Sequence, residues 1–517
     1  MNGAETIFET AASAGLDICF ANPGTTELPL VSALDRVRSI RPVLCLAEAV
    51  CAGAADGYGR MKGKAALTLL HLGPGLANGL AYFHNARRAA TPIVNLIGNH
   101  ASWHLAADAP LTSDIEALAR PMSVWVKSGS SAESLASDTI EAIYHSAGGV
   151  ASLIVPSDYQ AGHVSTQKAS PIRRAIQSVS ESDVQAAAKI LRSGKPTALL
   201  LGGAGLTDRG LRAAARIRTA SECNLIHETF PARIERGGDL PDVMGLPYMP
   251  TPARQALGDF ATIILAGTRE PVSFFGYEGQ PSSLVPPGTE AVVLAPAPQD
   301  AYFDTVGALE YLADVLDEKQ CSGAVSERRS RSELPTGALN PESFATTIAA
   351  MQPEDGIVVD ESVTSGFSYN QASLNSPRHT CLVPHVGGAI GHGLPVATGA
   401  ALASPDRSVI LLEADGSGMY TLQSLWTQAR EQLNVTTVIC ANRKYRILQL
   451  ELGDEQNVKQ NSASDLLLRI DQPSLDWVQL SIGLGVPSQR VEMADELAVT
   501  LKNALDEPGP HLIEALL

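Results

Sequence analysis

Two short turns, each following an apolar run, constrain the fold of this chain more than any other feature. Ala414-Asp415-Gly416-Ser417-Gly418 follows Val409-Ile410-Leu411-Leu412, and Asn442-Arg443-Lys444-Tyr445 follows Val435-Thr436-Thr437-Val438-Ile439. Both runs are rich in β-branched residues and too short for helices, so they read as buried strands. Between them, residues 422–432 read as a helix with Leu422, Leu425, Trp426 and Ala429 on one face. A strand-helix-strand unit makes its strands parallel, so Asp415 and Asn442 leave the sheet at the same carboxyl edge. A carboxylate and an amide oxygen there are hard ligands suited to Mg²⁺, which commonly shares its shell with a phosphate-bearing ligand. Gly416 and Gly418 let the backbone approach such a ligand closely. A plain strand-loop-helix turn capped by Asp415 is the alternative for the first turn taken alone.

The rest of the chain repeats this alternation. Strands are expected at residues 18–21, 66–70, 93–97 and 151–155, then 198–201 and 263–266, then 356–359, 408–412 and 435–440. Polar, Ser-rich stretches near 163–182 and 319–340 lack apolar periodicity and read as linkers. At ~100–200 residues per domain, a 517-residue chain accommodates three. The expected fold class is therefore α/β, with three doubly wound parallel-sheet domains over residues 1–165, 183–320 and 338–517.

A net charge of −17 argues against a nucleic-acid or anionic-membrane partner. The seven cysteines, Cys19, Cys45, Cys51, Cys223, Cys321, Cys381 and Cys440, form no CxxC pair and read as buried thiols of a reducing compartment. No apolar run approaches ~18 residues, and no basic-then-apolar leader opens the chain. The expectation is a cytoplasmic protein.

Three first-domain segments carry candidate chemistry. Glu48 precedes a run of small apolar residues ending in Ala54-Ala55-Asp56-Gly57-Tyr58-Gly59-Arg60. A carboxylate with such neighbours is desolvated and suited to sharing a proton; alone, it also reads as a helix-start residue favoured by the macrodipole. In Asn22-Pro23-Gly24-Thr25-Thr26-Glu27-Leu28-Pro29, Gly24 permits a tight turn and Thr25 or Thr26 can cap the next helix. His71, in Leu70-His71-Leu72-Gly73-Pro74-Gly75, stands just past a strand. It is either structural or a proton carrier working near neutral pH. In the middle part, Gly202-Gly203-Ala204-Gly205 reads either as a close helix-strand packing turn or as the start of a nucleotide- or flavin-binding turn that lacks the full Gly-x-Gly-x-x-Gly pattern.

Together these segments resemble the thiamine-diphosphate-dependent enzyme superfamily, across the whole chain and in the family's order: pyrimidine-binding, middle and diphosphate-binding domains. The turns at 414–418 and 442–445 resemble its Gly-Asp-Gly and Asn-Asn motif, with Ala414 for the first Gly and Ala441 for the first Asn. The resemblance implies thiamine diphosphate and Mg²⁺ as cofactors, with Asp415, Asn442 and the Lys444 carbonyl as metal ligands. Pro23, Glu48, Val363, Thr364, Gly388, Ile390, Gly416, Ser417 and Tyr445 join them in holding the cofactor. Glu48 would bond the aminopyrimidine and promote its imino tautomer. Ile390, in Gly387-Gly388-Ala389-Ile390-Gly391-His392-Gly393, would hold the bent cofactor, and Asp360-Glu361-Ser362-Val363-Thr364 resembles a diphosphate-contacting loop.

The branches it resembles most are benzoylformate decarboxylase and acetolactate-synthase-like proteins. In the first, His71 matches a catalytic His, and Thr25 matches a hydroxyl residue facing the substrate. Phe274 or Phe275 stands where that enzyme has a second catalytic His, and a Phe relays no proton. The implied reaction is decarboxylation of a small 2-oxo acid, with or without carboligation. An acetolactate-synthase-like carboligase, a cofactor-binding protein without turnover and a nucleotide-dependent oxidoreductase are the alternatives. In the superfamily, Glu48 and Asp415 of one site come from different chains, which implies a homodimer at least, and tetramers are common.

Overall fold

A computed structural model describes residues 1–165, 174–316, 331–453 and 462–517. Three sheets form among these residues. The first has six parallel strands in the order Arg41–Leu44, Ile18–Asn22, Ala66–Leu70, Ile93–Asn99, Val150–Pro156, Trp125–Ser128. The second has five parallel strands, Met244–Gly245, Asn224–His227, Thr197–Leu201, Thr262–Ala266 and Glu290–Ala295. The third runs Ser488–Val491, His511–Leu516, Val435–Ala441, Val409–Ala414, Gly356–Glu361, His379–Leu382, Ile234–Arg236. Helices cover these sheets, as expected for parallel strands buried on both faces. The α/β fold with several parallel sheets is thus as the alternation of apolar runs predicts.

The third sheet departs from a purely parallel plan at one edge. Ile234–Arg236, in sequence a part of the middle segment, pairs antiparallel with His379–Leu382, in the register His379–Arg236 and Cys381–Ile234. Three residues without an alternating apolar pattern carry little strand signal. Pairing satisfies the backbone at an otherwise open edge and ties the middle sheet to the third.

The first and third sheets join through two helices, Glu48–Lys62 and Gly393–Ala403. Glycine makes this approach possible: a β-carbon at Gly57 would stand 2.1 Å from the Val396 carbonyl oxygen, and one at Gly399 would stand 1.9 Å from that of Ala54. The small-residue run after Glu48 is therefore a helix-helix contact surface. Arg60 fastens the same junction. Its guanidinium pairs with Asp56, with both side chains buried, and donates to the carbonyls of Ala232, Val383 and Pro384. A buried ion pair is tolerable when its remaining donors are satisfied in this way.

Six cysteines are free and buried, and Cys321 lies outside the described residues, as do the middle of the first linker and much of the second. No helix of the described residues is long and apolar enough to cross a membrane.

Candidate active site

Asp415 and Asn442 end adjacent strands, paired through Ala414 and Cys440. Asp415 opens the short helical turn Asp415–Gly418, whose residues are all buried. Its carboxylate accepts the Gly416 N–H at 2.9 Å and the Arg443 N–H at 2.6 Å. Burial nevertheless pushes its pKa up to about 6 against these donors, because a buried carboxylate is poorly solvated. Asn442 donates from Nδ2 to Ser365 Oγ at 3.4 Å and accepts the Lys444 N–H on Oδ1 at 3.1 Å. The Tyr445 ring closes over Gly416, where a β-carbon would stand 2.6 Å from it. Hard oxygen donors on two neighbouring strand ends, one a carboxylate whose charge burial disfavours, fit the Mg²⁺ that the resemblance implies.

Val363 opens the turn Val363–Gly366 with φ +51, a left-handed conformation that is strained for a β-branched residue. That turn, with Thr364 in it, lies beside Asn442 through Ser365. An anion would find loop backbone from two strand ends there, as a diphosphate requires.

The Gly387–His392 loop, carrying Gly388 and Ile390, is pinned by the helix Leu72–Arg88 of the first unit. Asn85, fully buried, donates to the Ala389 carbonyl at 2.7 Å, accepts the Ala389 N–H at 3.2 Å and contacts His392 Nδ1 at 2.9 Å. His84 bonds the Gly387 carbonyl at 3.0 Å, and the Tyr82 hydroxyl donates to the Ile390 carbonyl at 3.3 Å. Gly388 has φ +87 and lies against Phe274, whose ring would stand 3.1 Å from a β-carbon there. Of the two phenylalanines considered, Phe274 is the one on this loop, within an aromatic cluster with Phe230 and Tyr248.

Glu48 starts its helix as expected and is half-buried; its Oε2 accepts from Asn78 Nδ2 at 3.1 Å. His71 is its neighbour across Gly75: a β-carbon at Gly75 would lie 3.2 Å from Glu48 Oε1 and 3.3 Å from His71 Cβ. Pro23 precedes the turn and Thr25 opens it, exposed, while the adjacent Thr26 faces inward. Thr26 Oγ1 donates to Glu27 Oε1 at 2.6 Å and lies 3.3 Å from His71 Nδ1.

Two residues of this site escape the sequence reading. Glu27 is fully buried, and its Oε2 takes the Gly24 N–H at 2.8 Å and His71 Nδ1 at 2.7 Å. A carboxylate only accepts, so it assigns the ring proton to Nδ1 and leaves Nε2 as the free end of His71. Asn85 is the other. A Glu followed by Leu-Pro reads as a helix start, and an Asn inside a helix carries no local signal; both contacts span long separations. Behind the site, Glu361 and Glu413 are register partners on adjacent strands, both fully buried. Burial pushes Glu361 up to about 7 and raises Glu413 well above the ordinary range. Glu361 Oε2 accepts the Gly393 N–H at 2.6 Å.

Comparison with known proteins identifies the family of the chain. The model of the thiamine pyrophosphate enzyme N-terminal TPP binding domain matches residues 1–118, and that of the C-terminal TPP binding domain matches residues 364–515. A Mycobacterium tuberculosis protein provisionally named acetolactate synthase large subunit IlvX is 45% identical, over 100% of this chain and 99% of its own length. Benzoylformate decarboxylase of Pseudomonas aeruginosa is 27% identical, over 98% of this chain and 97% of its own. The solved thiamine diphosphate-dependent 4-hydroxybenzoylformate decarboxylase of Rhodococcus jostii RHA1 superposes with a TM-score of 0.86 at 26% identity, covering 99% of this chain and 98% of that one. With both thiamine-binding domain models matched and a relative this similar along its whole length, the chain belongs to the thiamine pyrophosphate (thiamine diphosphate) enzyme family.

Proposed function

We propose that this protein decarboxylates a small 2-oxo acid with thiamine diphosphate and Mg²⁺. The observation that carries the reading is the Glu27–His71 pair beside Glu48, a fixed acid-base group next to the expected cofactor-activating carboxylate. Bound thiamine diphosphate supplies the electron sink that accepts the pair released when CO₂ leaves. Glu48 holds a proton at the cofactor's pyrimidine end. His71, oriented through Nδ1 by Glu27, presents Nε2 to carry a proton to or from the reacting carbon. Thr25, exposed on the turn, meets the substrate oxygen. Asp415, Asn442 and the Lys444 carbonyl hold the metal, Val363, Thr364, Gly416, Ser417 and Tyr445 surround the diphosphate, and Gly388 and Ile390 support the rings. The site is completed by a second chain, in a homodimer or a tetramer of the cytoplasm.

Phe274 against Gly388 puts an aromatic wall, not a second proton carrier, beside this loop. On this reading, proton transfer on the substrate side falls to His71.

A second reading, acetolactate-type carboligation, is favoured by the 45% identical relative provisionally named acetolactate synthase large subunit. Product analysis separates the two. Released aldehyde from a panel of 2-oxo acids supports decarboxylation, and 2-acetolactate from pyruvate supports carboligation. Calorimetric titration of metal-stripped protein with thiamine diphosphate tests the shared premise. Binding should require Mg²⁺ and vanish in Asp415→Ala; absence of binding with and without Mg²⁺ would overturn both readings.

A further inference from the structure

We propose that the cleft between the middle and third sheets binds a small organic anion, a carboxylate or a phosphate ester, through Arg236 and Arg218. The cleft encloses about 450 Å³, within the size range of small-molecule sites. It lies apart from Glu48, His71 and Asp415, and none of those residues lines it.

Its cationic floor is unusual. Arg236 is only 7% exposed. It sits on the short antiparallel edge strand and donates from Nη2 to the Asn370 carbonyl at 2.7 Å. Its Nε has no acceptor, and among the described residues no carboxylate reaches ion-pair distance of the guanidinium. Burial pulls this group below the usual arginine range, with Asp242 and Asp360 offsetting part of the effect from farther off. Burying a guanidinium without a directly paired anion is costly, so the fold retains an electrostatic demand that an oxyanion would meet.

Arg218 adds a second cation at the same wall. It is half-buried and donates from Nη1 to the Asp242 carbonyl at 3.2 Å, a backbone contact that leaves its charge unneutralised by that bond. Asn224, Asn370 and Gln371 supply exposed amides around the floor, and Met244 and Phe367, 55% and 56% exposed, form an apolar rim. Two guanidinium groups with amide donors match an oxyanion; the rim matches a short apolar tail. Asp242 also lines the cleft and lowers its net charge, which favours a singly or doubly charged ligand over a polyanion.

Position gives the cleft a route to the cofactor. The helix Phe367–Ala372 contributes Phe367 and Asn370 to it and follows directly on the strained Val363–Gly366 turn. A ligand in the cleft therefore leans on the helix that follows the turn carrying the candidate diphosphate contacts.

The test uses intact protein saturated with thiamine diphosphate and Mg²⁺, so that the diphosphate site is filled. Isobutyrate and inorganic phosphate are titrated separately by calorimetry at constant ionic strength, with chloride as the balancing anion. Saturable binding of at least one probe is expected, weakened about tenfold or more in Arg218→Gln. That corresponds to loss of one charge-assisted hydrogen bond of about 1.4 kcal/mol. Isobutyrate alone binding identifies a carboxylate site, and phosphate alone a phosphate-ester site. Arg236→Gln should abolish binding, but that side chain is buried and its loss endangers folding, so Arg218→Gln carries the decision. Absence of saturable binding of both probes, or equal binding by Arg218→Gln, would overturn the proposal. Cofactor binding is measured in the same samples, so failure of the thiamine-diphosphate reading would be seen separately.

Discussion

Glu27, with no exposed surface, holds His71 Nδ1 at 2.7 Å from its Oε2. The pair is 44 residues apart in sequence and joins the turn after one strand to the end of the next strand in the sheet. Removing the carboxylate's charge while keeping its shape should free the ring to rotate and lose its fixed tautomer. Glu27→Gln is expected to lower kcat about 10- to 100-fold, with little change in the thiamine diphosphate Kd. His71→Ala should fall at least as far, and the double variant no further. Steady-state kinetics with a 2-oxo acid substrate, beside cofactor titration, checks this; additive losses would separate the two residues.

Glu48 starts its helix beside His71 but touches none of the residues holding Asp415 or Asn442 within this chain's bonding pattern. Glu48→Gln should therefore remove most turnover, leave Mg²⁺-dependent cofactor binding within a few-fold, and leave the thermal unfolding midpoint unchanged. Full activity in this variant would sink the proposed role.

Asn85 clamps both the N–H and the carbonyl of Ala389, one residue before Ile390. Asn85→Ala leaves the half-buried N–H and carbonyl of Ala389 without their partner, a loss of ~1 kcal/mol. The expected result is a lower unfolding midpoint and thiamine diphosphate affinity weakened about tenfold. Unchanged cofactor affinity with lowered stability would make Asn85 a structural residue only.

Glu361 and Glu413 predict a pH signature. Burial raises Glu361 from 4.5 to about 7 and raises Glu413 as well, so the unfolded chain releases these protons first as pH rises. On Glu361's account stability falls from about pH 4.5 to about pH 7, and Glu413, raised in the same direction, lowers it further as pH rises. Glu413→Gln removes one of the two ionisations and can donate to Glu361. It should stabilise the protein by ~1–3 kcal/mol at pH 8 and have little effect at pH 4.5. Denaturant unfolding at both pH values reads this, and destabilisation at pH 8 would refute it.

Much of the architecture is legible in local pattern. The apolar runs at 66–70, 93–97, 356–359 and 435–440 all lie in strands, some of them a residue or two longer. The helix expected over 422–432 forms as Ser424–Glu431. Strands such as Asn224–His227 and Ile234–Arg236 were not expected, because short runs with mixed polarity look like loops until a neighbouring strand supplies their hydrogen bonds. The small residues after Glu48 read as a tightly packed helix, but which helix they pack against, Gly393–Ala403, is a matter of tertiary approach.

The sequence by itself determined that Asp415 and Asn442 share a sheet edge, since a right-handed strand-helix-strand crossover allows no other placement. It also determined that Glu48 opens a helix, which follows from the apolar run behind it. Only the tertiary structure decided that Glu27 orients His71, that Asn85 grips the loop of Ile390, that Phe274 faces Gly388 and that Arg236 is buried with no carboxylate at ion-pair distance among the described residues. Each of these depends on groups far apart in sequence that strand pairing within a sheet or packing between sheets brings together, and such relationships leave no periodicity or spacing in the chain for a local reading to find.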